Sequence, residues 1–421
     1  MTDTPRPFRL GSEEFAALAA GGGDAAVVAR LRRANRSRTL LAVAFLAART
    51  RRAGHPDAGA VARAYQVLTD ARAARPEAVW RVLDQPEVAL WAVGAARDLV
   101  HGGDRCRPGA LANVAAAAAV RAGTPADLVT AAGPFPLPSL GTLGGVGTRL
   151  RLRQDGDGAL THTGVRIVPG GATPGWSPLS ALRLGDRTVT LDQWRLVALP
   201  GPFAAALSRA PDLPAWRAVL TGAVDVLDAQ GVAGPVLEAV RTVTPLRDAG
   251  ADPSSATLSE AFGAVLLSLP RGPRQAALTL VHEVQHAKLT VLHDLFPLLE
   301  TGARERFYAP WRRDPRPLLG LLHGAYAYVG VVGFWRQQRL LDTDPADAHD
   351  AEVEFARWLP ATRETVEVLA TRPELTAHGH AFVAGLAGTL ADWSAEPTDP
   401  AARAEADHLR RDHRDRWSRA S

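Results

Sequence analysis

The stretch Ala276–Leu289, which reads AALTLVHEVQHAKL, decides how the rest of the chain is interpreted. It contains the pattern His-Glu-x-x-His, formed by His282, Glu283 and His286. No Gly or Pro interrupts it, and apolar residues recur on both sides, so the pattern predicts a buried α-helix. Residues four apart lie on one face of a helix, about 40° apart around its axis. His282 and His286 can therefore present two imidazoles to one metal ion, with Glu283 beside them.

A helix that carries two surface histidines by chance is the alternative interpretation. The flanking Leu278, Leu280 and Leu289 argue against it, because they indicate that the helix is buried. Buried polar groups need partners, and a metal ion is the simplest partner for two imidazoles.

Composition sets broad limits. The chain has 421 residues, 47% of them hydrophobic, which predicts two or three structural units, or else one large fold, with ample core. No run of 18 apolar residues and no signal-peptide order are present, so we expect a cytoplasmic protein without a membrane partner. The single cysteine, Cys106, excludes an internal disulfide and a cysteine-based zinc site. The 48 basic and 44 acidic residues are interspersed, which does not support nucleic-acid binding.

Lys288 is the only lysine in the chain, and every other basic residue is arginine. It follows His286 by two residues and turns well away from the histidine face of the predicted helix. We expect a solvated or ion-paired lysine, although a role near the site is an open alternative.

Three ranges differ in character. Residues 1–130 are predicted to be helical, residues 131–270 to mix strands and helices, and residues 271–421 to form a helical region that carries the metal site. We expect the last two ranges to form one integrated catalytic unit. The predicted fold is mainly α with a small, mainly antiparallel β-sheet (α+β), built from 135–195 and 261–269. Because both histidines share a helix, we do not expect a double-stranded β-helix. The N-terminal helices are predicted at Asp24–Thr50, Pro56–Ala74, Pro76–Val100 and Pro108–Arg121, and strands at Arg149–Arg153, Thr163–Val168, Arg187–Leu191 and Ala261–Leu269.

Two histidines do not complete a metal site, and four residues are candidates for the third ligand. His293 lies on the same helical face, and Glu305 follows His286 by nineteen residues, a spacing that gluzincin proteases use. Glu300 is a weaker variant of the same idea. His323 lies on the next long apolar stretch, Leu318–Gln338, and could close the site from a second helix.

An arginine-rich segment precedes His323 and favours it. Arg312, Arg313 and Arg316 lie between prolines, and guanidinium groups bind carboxylates through paired hydrogen bonds. An iron oxygenase that uses 2-oxoglutarate needs such a group for the distal carboxylate, whereas a zinc peptidase does not. The alternative is that these arginines form salt bridges with Asp314 and other acids.

At these residues the sequence resembles the HExxH-motif peptide-modification family, the 2-oxoglutarate-dependent peptide β-hydroxylases of ribosomal peptide clusters. The matching segments are HEVQHAKL at 282–289, YAPWRRDPRP at 308–317, GLLHGAY at 320–326, GFW at 333–335, and the strand GAVLLSL at 263–269. The likeness is weak before residue 250.

This resemblance implies an oxidoreductase, a dioxygenase that uses Fe(II), 2-oxoglutarate and O2 on a ribosomally made precursor peptide. It implies that His282, His286 and His323 bind the metal. By the same resemblance, Arg312 and Arg316, with Arg313 and Tyr308 nearby, contact the co-substrate. Glu283 would then hold a histidine or a water molecule.

Two other functions remain open. In a zinc metallopeptidase, Glu283 would activate the metal-bound water and Glu305 would be the third ligand. In a non-catalytic helical scaffold, the chain would bind a leader peptide and the metal site would be vestigial. The intact His-Glu-x-x-His argues against the scaffold.

Overall fold

The computed structural model describes residues 8–154, 160–168, 170–192, 194–208, 210–247, 255–300, 302 and 305–420. In these ranges the chain is mainly α-helical with small, mostly antiparallel sheets, as the sequence predicts. The α-helices are α1 (Ser12–Ala19), α2 (Ala25–Arg52), α3 (Ala58–Ala74), α4 (Pro76–Leu83), α5 (Pro86–His101), α6 (Leu111–Ala122), α7 (Phe203–Ala206), α8 (Leu213–Ala229), α9 (Ala233–Ala239), α10 (Pro273–Leu295), α11 (Leu318–Leu341), α12 (Pro345–Ala370), α13 (Ala377–Ser394) and α14 (Pro400–Ala420).

The strands form four sheets. Their orders are β1-β4-β5-β6, β2-β3-β7, β11-β12-β10-β9-β8 and β13-β14. The strands are β1 (Ala126–Val129), β2 (Gly133–Leu137), β3 (Gly141–Val146), β4 (Arg149–Gln154), β5 (Leu160–His162), β6 (Val165–Ile167), β7 (Trp176–Pro178), β8 (Ser180–Leu184), β9 (Arg187–Leu191), β10 (Thr242–Leu246), β11 (Ser255–Ala256), β12 (Ala264–Ser268), β13 (Arg306–Phe307) and β14 (Arg316–Pro317).

The chain divides into two compact units. Unit 1 comprises Met1–Leu31, Ala218–Ala239 and Arg271–Ser421, and unit 2 comprises Arg32–Arg217 and Val240–Pro270. Unit 2 has a continuous apolar core in which the alanine-rich α6 is almost entirely buried. Unit 1 contains α10, α11 and the segment between them, and so includes every residue predicted to bind metal or co-substrate.

Two predicted elements are divided in the structure. The predicted helix Pro76–Val100 is two helices, α4 and α5, because Pro86 lacks the N–H that a continuing helix needs. The predicted strand Thr163–Val168 is wrong at its start, where Thr163 and Gly164 adopt φ of 46° and 82° and turn the chain between β5 and β6. Left-handed backbone of this kind makes a turn and cannot continue a strand.

The sheet is also more divided than predicted. The predicted strand Ala261–Leu269 is present as β12, but it pairs in parallel with β10, which in turn pairs in parallel with β9. The connection from β9 to β10 contains three helices, and parallel strands need a long crossover of this kind. Both β10 and β12 are buried at every residue, which is typical of strands covered on both faces.

Close contacts position α10 and α11 within unit 1. A Cβ at Gly222 of α8 would lie 2.7 Å from Pro273 Cγ, so glycine allows α8 to approach the first residue of α10. Arg274 then pairs with Asp342, the residue after α11, at 2.9 Å. These contacts fix one end of each helix and so help to set how the helices face each other.

Helix α11 is the one helix within the described ranges that is long and apolar enough to cross a membrane, by length and composition only. Of its most apolar window, 61% is buried inside the structure. A buried core helix passes the same test, so this is weak evidence for a membrane span.

Candidate metal centre

The two motif histidines lie side by side on α10. Pro273 begins this helix, a position where the missing N–H of proline costs nothing. The Nε2 atoms of His282 and His286 are 3.1 Å apart, and the ring planes are crossed at 80°. Two nitrogens on one tetrahedral ion, each at roughly 2.0–2.1 Å from it, would be about 3.3 Å apart. The pair thus has nearly the separation of two ligands that share an ion.

His323 joins the pair from α11. Its ring centroid lies 5.8 Å from that of His286, and the two planes are nearly parallel at 28°. The structure therefore brings together the three residues predicted as metal ligands. Within the described ranges, no set of three His, Cys, Asp or Glu side chains has the geometry of a complete metal site. The motif pair has the spacing of ligands, and His323 is adjacent to it through ring stacking.

Burial favours the neutral form of all three imidazoles. Desolvation lowers the pKa of His282, and the Glu283 carboxylate partly offsets this effect. Desolvation holds the pKa of His286 well below its usual value, and neighbouring basic side chains lower it further. The pKa of His323 falls to about 4, again mainly by desolvation, with a contribution from His293. Neutral imidazole is the form that binds metal, so the donor set fits iron or zinc.

Glu283 is buried next to this pair. It follows His282 in α10, and only 2% of the residue is exposed. Its effect on the pKa of His282 places the carboxylate within electrostatic range of that ring. From this position it could orient a ligand or act on a bound water molecule.

An aromatic cluster packs against His282. The Tyr328 ring lies 5.6 Å from that of His282 in an edge contact, and it is sandwiched by Trp311 at 4.5 Å and Trp358 at 4.6 Å. A Cβ at Gly324 would lie 2.4 Å from the Trp311 ring, so glycine is what allows the indole to lie on α11. No sequence pattern indicates a role for these aromatic residues. They make one side of the site apolar, and their burial raises the pKa of Tyr328.

The two arginines predicted to bind the co-substrate share one acidic partner. Arg312 directs both Nε and Nη2 at Asp314 Oδ1, at 2.9 and 2.8 Å. Arg316 contacts Asp314 Oδ2 through Nη1 alone, at 3.2 Å. Its Nε and Nη2 atoms lie against Gly320 of α11, and its charge contributes to the lowered pKa of His286. Arg316 is therefore within electrostatic range of the histidines and keeps two donors without a partner among the described residues.

Tyr308 and Arg313, the other predicted co-substrate contacts, face α14. Tyr308 Oη is 2.9 Å from His413 Nδ1, and desolvation raises the pKa of this tyrosine. Arg313 is exposed, and it is one of the charges that add to desolvation in lowering the pKa of His413. A cavity of about 330 Å³ adjoins Tyr308, and four arginines line it: Arg357, Arg410, Arg411 and Arg414.

The other candidates for the third ligand have different partners. Glu305 pairs with Arg372 at 2.5 Å with its side chain 57% exposed, and Glu300 is exposed as well. His293 Nδ1 accepts the backbone N–H of Leu298 at 3.1 Å. A neutral histidine that accepts at Nδ1 carries its proton on Nε2, which leaves no lone pair for a metal. These contacts favour His323 as the third ligand.

No protein-family model matches this chain, and no curated protein matches it either. The resemblance to the HExxH peptide-modification family therefore remains a prediction.

Proposed function

We propose that this protein is an Fe(II)- and 2-oxoglutarate-dependent hydroxylase that acts on a side-chain β-carbon of a ribosomally made peptide. The observation that carries the proposal is the cluster of His282, His286 and His323, which gathers three neutral imidazoles from α10 and α11. Three protein ligands with open positions are the arrangement that non-haem iron oxygenases use, although a carboxylate more often takes one of the three places.

Arg316 is the co-substrate anchor that the contacts favour. Arg312 already donates from both Nε and Nη2 to Asp314, whereas Arg316 contacts that carboxylate through Nη1 alone. The remaining Nε and Nη2 of Arg316 can meet the distal carboxylate of 2-oxoglutarate as a planar fork. The sequence pattern leaves Arg312 and Arg316 equivalent, and these hydrogen bonds distinguish them.

In this proposal each group of side chains has a separate role. Bound there, iron and 2-oxoglutarate supply the oxidising power for inserting one oxygen atom from O2 into a C–H bond. The three histidines hold the ion, and Glu283 orients one of them or a water molecule. Tyr328 and Trp311 exclude water from one side of His282, which suits chemistry that water would interrupt.

The contacts of Glu305 weigh against the zinc peptidase. That function needs Glu305 as the third ligand, and the carboxylate instead pairs with Arg372 with more than half of its side chain exposed. The peptide substrate and the cytoplasmic location belong to the same proposal, and they come from the resemblance alone.

The test is to incubate the purified protein with Fe(II), ascorbate and a candidate precursor peptide, with 2-oxoglutarate present or omitted. We expect succinate to form, and the peptide mass to rise by about 16 Da, one oxygen atom, only when 2-oxoglutarate is present. The His286→Ala variant is the control for metal-dependent turnover. Cleaved peptide in both samples would exclude the hydroxylase and favour the peptidase.

A further inference from the structure

The only lysine of the chain is buried, so the expectation of a solvated or ion-paired residue is wrong. Lys288 is 5% exposed and lies on α10. Its Nζ donates to Gly22 O at 2.7 Å and lies 3.4 Å from Gly21 O, and it sits 5.5 Å from the Tyr326 ring centroid. No acidic side chain pairs with it among the described residues, and burial lowers the pKa of Lys288 to about 7.

The position of this amine suits lysine better than arginine. Gly21 and Gly22 follow the last turn of α1, where helix carbonyls and the helix dipole favour a cation. A compact ammonium with three donors fits between two neighbouring carbonyls, whereas a guanidinium would bring a broad planar group into the same space. One donor of Lys288 has no partner among the described residues.

An apolar cavity of about 270 Å³ adjoins Lys288. It is smaller than the cavities of roughly 300–1,000 Å³ that hold drug-sized ligands, so it suits a small molecule. Lys288 lines it from α10, about 120° to 160° around the helix axis from the two motif histidines, and Gln285 lines it from an intermediate angle. Its apolar lining includes Val232, Val236, Val281, Val284, Phe334 and Trp393.

Glycines give this cavity its shape. A Cβ at Gly330 would lie 2.7 Å from Gln285 Cγ, and a Cβ at Gly333 would lie 3.2 Å from Trp393. A side chain at Gly330 would therefore clash with Gln285, and one at Gly333 would press tightly against Trp393. The absence of side chains at these two glycines therefore keeps this part of the cavity open.

We propose that this cavity binds a small apolar monocarboxylate, with its carboxylate on Lys288 Nζ and its chain among the valines and Phe334. Hydrogen-bond geometry supports this ligand, because Lys288 Nζ keeps one donor without a partner among the described residues and the wall around it is mainly apolar. Arg336 also lines the cavity, and its Nε pairs with Glu396 at 2.5 Å. The proposed site is separate from the candidate metal centre, since it uses a different face of α10.

The single lysine makes the test direct. When the protein is grown with isotope-labelled lysine, its NMR spectrum contains one lysine side-chain signal, which must belong to Lys288. A ligand that binds at Nζ therefore shifts a signal whose identity is already known. The probes are straight and branched monocarboxylates of about four to six carbons, compared with the matching neutral amides. A short peptide that ends in leucine carries the same chemistry, and comparing it with the free acids shows which source the cavity accepts.

We expect the carboxylates to shift the Lys288 signal and to bind in calorimetry, and the amides to bind about 10- to 100-fold more weakly. Lys288→Met should lose this preference, and Val236→Phe should block binding by filling the cavity while it leaves the lysine in place. Arg33→Met removes one positive charge from an exposed position of α2 and should change nothing. Equal affinity for acids and amides, no binding by any probe, or unchanged binding by Val236→Phe would overturn the proposal.

Discussion

The two units each bury a group of like ionisable side chains, and they satisfy these groups in different ways. In unit 2, Glu87 and Asp192 are buried close enough to affect each other. Backbone N–H groups meet them: Leu196 N donates to Glu87 at 3.1 Å, and Trp194 N donates to Asp192 at 3.0 Å. In unit 1, His282, His286 and His323 have each other and aromatic rings as their neighbours.

This difference separates a structural contact from a candidate site. The buried carboxyls of unit 2 accept hydrogen bonds from a loop and so hold that loop in place. The Nε2 atoms of His282 and His286 face each other at 3.1 Å, where a proton on one of them or a shared cation is needed. Substitutions in the first group should therefore change stability, and substitutions in the second should change ligand binding.

The largest effect is expected at the histidine pair. His282→Ala or His286→Ala removes one of two ligands from the same helix, and we expect Fe(II) or Zn²⁺ affinity to fall by at least about 100-fold. His323→Ala should lower it as well. The measurement is metal content and a calorimetric metal titration, with circular dichroism to confirm that each variant is folded.

Glu305→Ala is the matched control, because it removes a surface carboxylate that pairs with Arg372. It should leave metal affinity unchanged. If this variant lost metal binding while His323→Ala bound metal normally, the assigned ligand set would be contradicted. That result would favour the zinc peptidase, in which Glu305 is the third ligand.

A smaller effect is expected at the arginines beside the cluster. Arg316→Ala should weaken 2-oxoglutarate binding by about 10- to 100-fold, because a charge-assisted paired contact is lost. Arg316→Lys should recover part of this loss, since an ammonium supplies charge without the planar fork. Calorimetric titration of the metal-loaded protein with 2-oxoglutarate measures both changes, and metal affinity should stay constant.

Arg312→Ala and Arg313→Ala calibrate that result. Arg312 already donates to Asp314, and Arg313 is exposed. Each of these two substitutions should therefore weaken 2-oxoglutarate binding less than Arg316→Ala does. A larger loss from Arg312→Ala would move the co-substrate anchor to that residue.

The sequence predicts the two helices of the candidate metal centre because their signals are local. The spacing of His282 and His286 and the apolar residues around them identify one face of one helix. The apolar stretch that contains His323 identifies a second helix by the same reasoning. Both helices are present as α10 and α11, and the ring contacts join them.

The remaining features depend on tertiary contacts that periodicity does not reveal. Trp358 reaches Tyr328 from α12, and nothing in the spacing of these two residues indicates the contact. The sequence predicts a solvated or ion-paired Lys288, yet the lysine is buried and backbone carbonyls after α1 accept its hydrogen bonds. The parallel pairing of β10 with β9 and β12 likewise depends on a long crossover through helices.

The smallest effect is expected from Glu87→Gln in unit 2, and it concerns stability. Burial, together with the neighbouring Asp192, raises the pKa of Glu87 well above its usual value of 4.5. A carboxyl whose pKa is raised on folding gives its full stability below that usual value, and this contribution is lost as pH rises toward the raised pKa. Glutamine stays neutral and still accepts the Leu196 N–H, so Glu87→Gln should avoid the loss.

We expect Glu87→Gln and the unchanged protein to have similar stability near pH 4 and to diverge as pH rises. Above pH 7 the variant should be more stable by about 1 kcal/mol, or roughly 2–4 °C in melting temperature for a unit of this size. Thermal denaturation across this pH range measures the difference, and Glu77→Gln, at an exposed position of α4, is the control. The opposite result would contradict this prediction. If Glu87→Gln were less stable at every pH, the carboxylate would be ionised and stabilising in the folded unit.

The contrast between the buried carboxyls of unit 2 and the neutral imidazoles of unit 1 would then no longer hold. Metal binding should not change in this variant, because none of the residues predicted to bind metal belongs to unit 2.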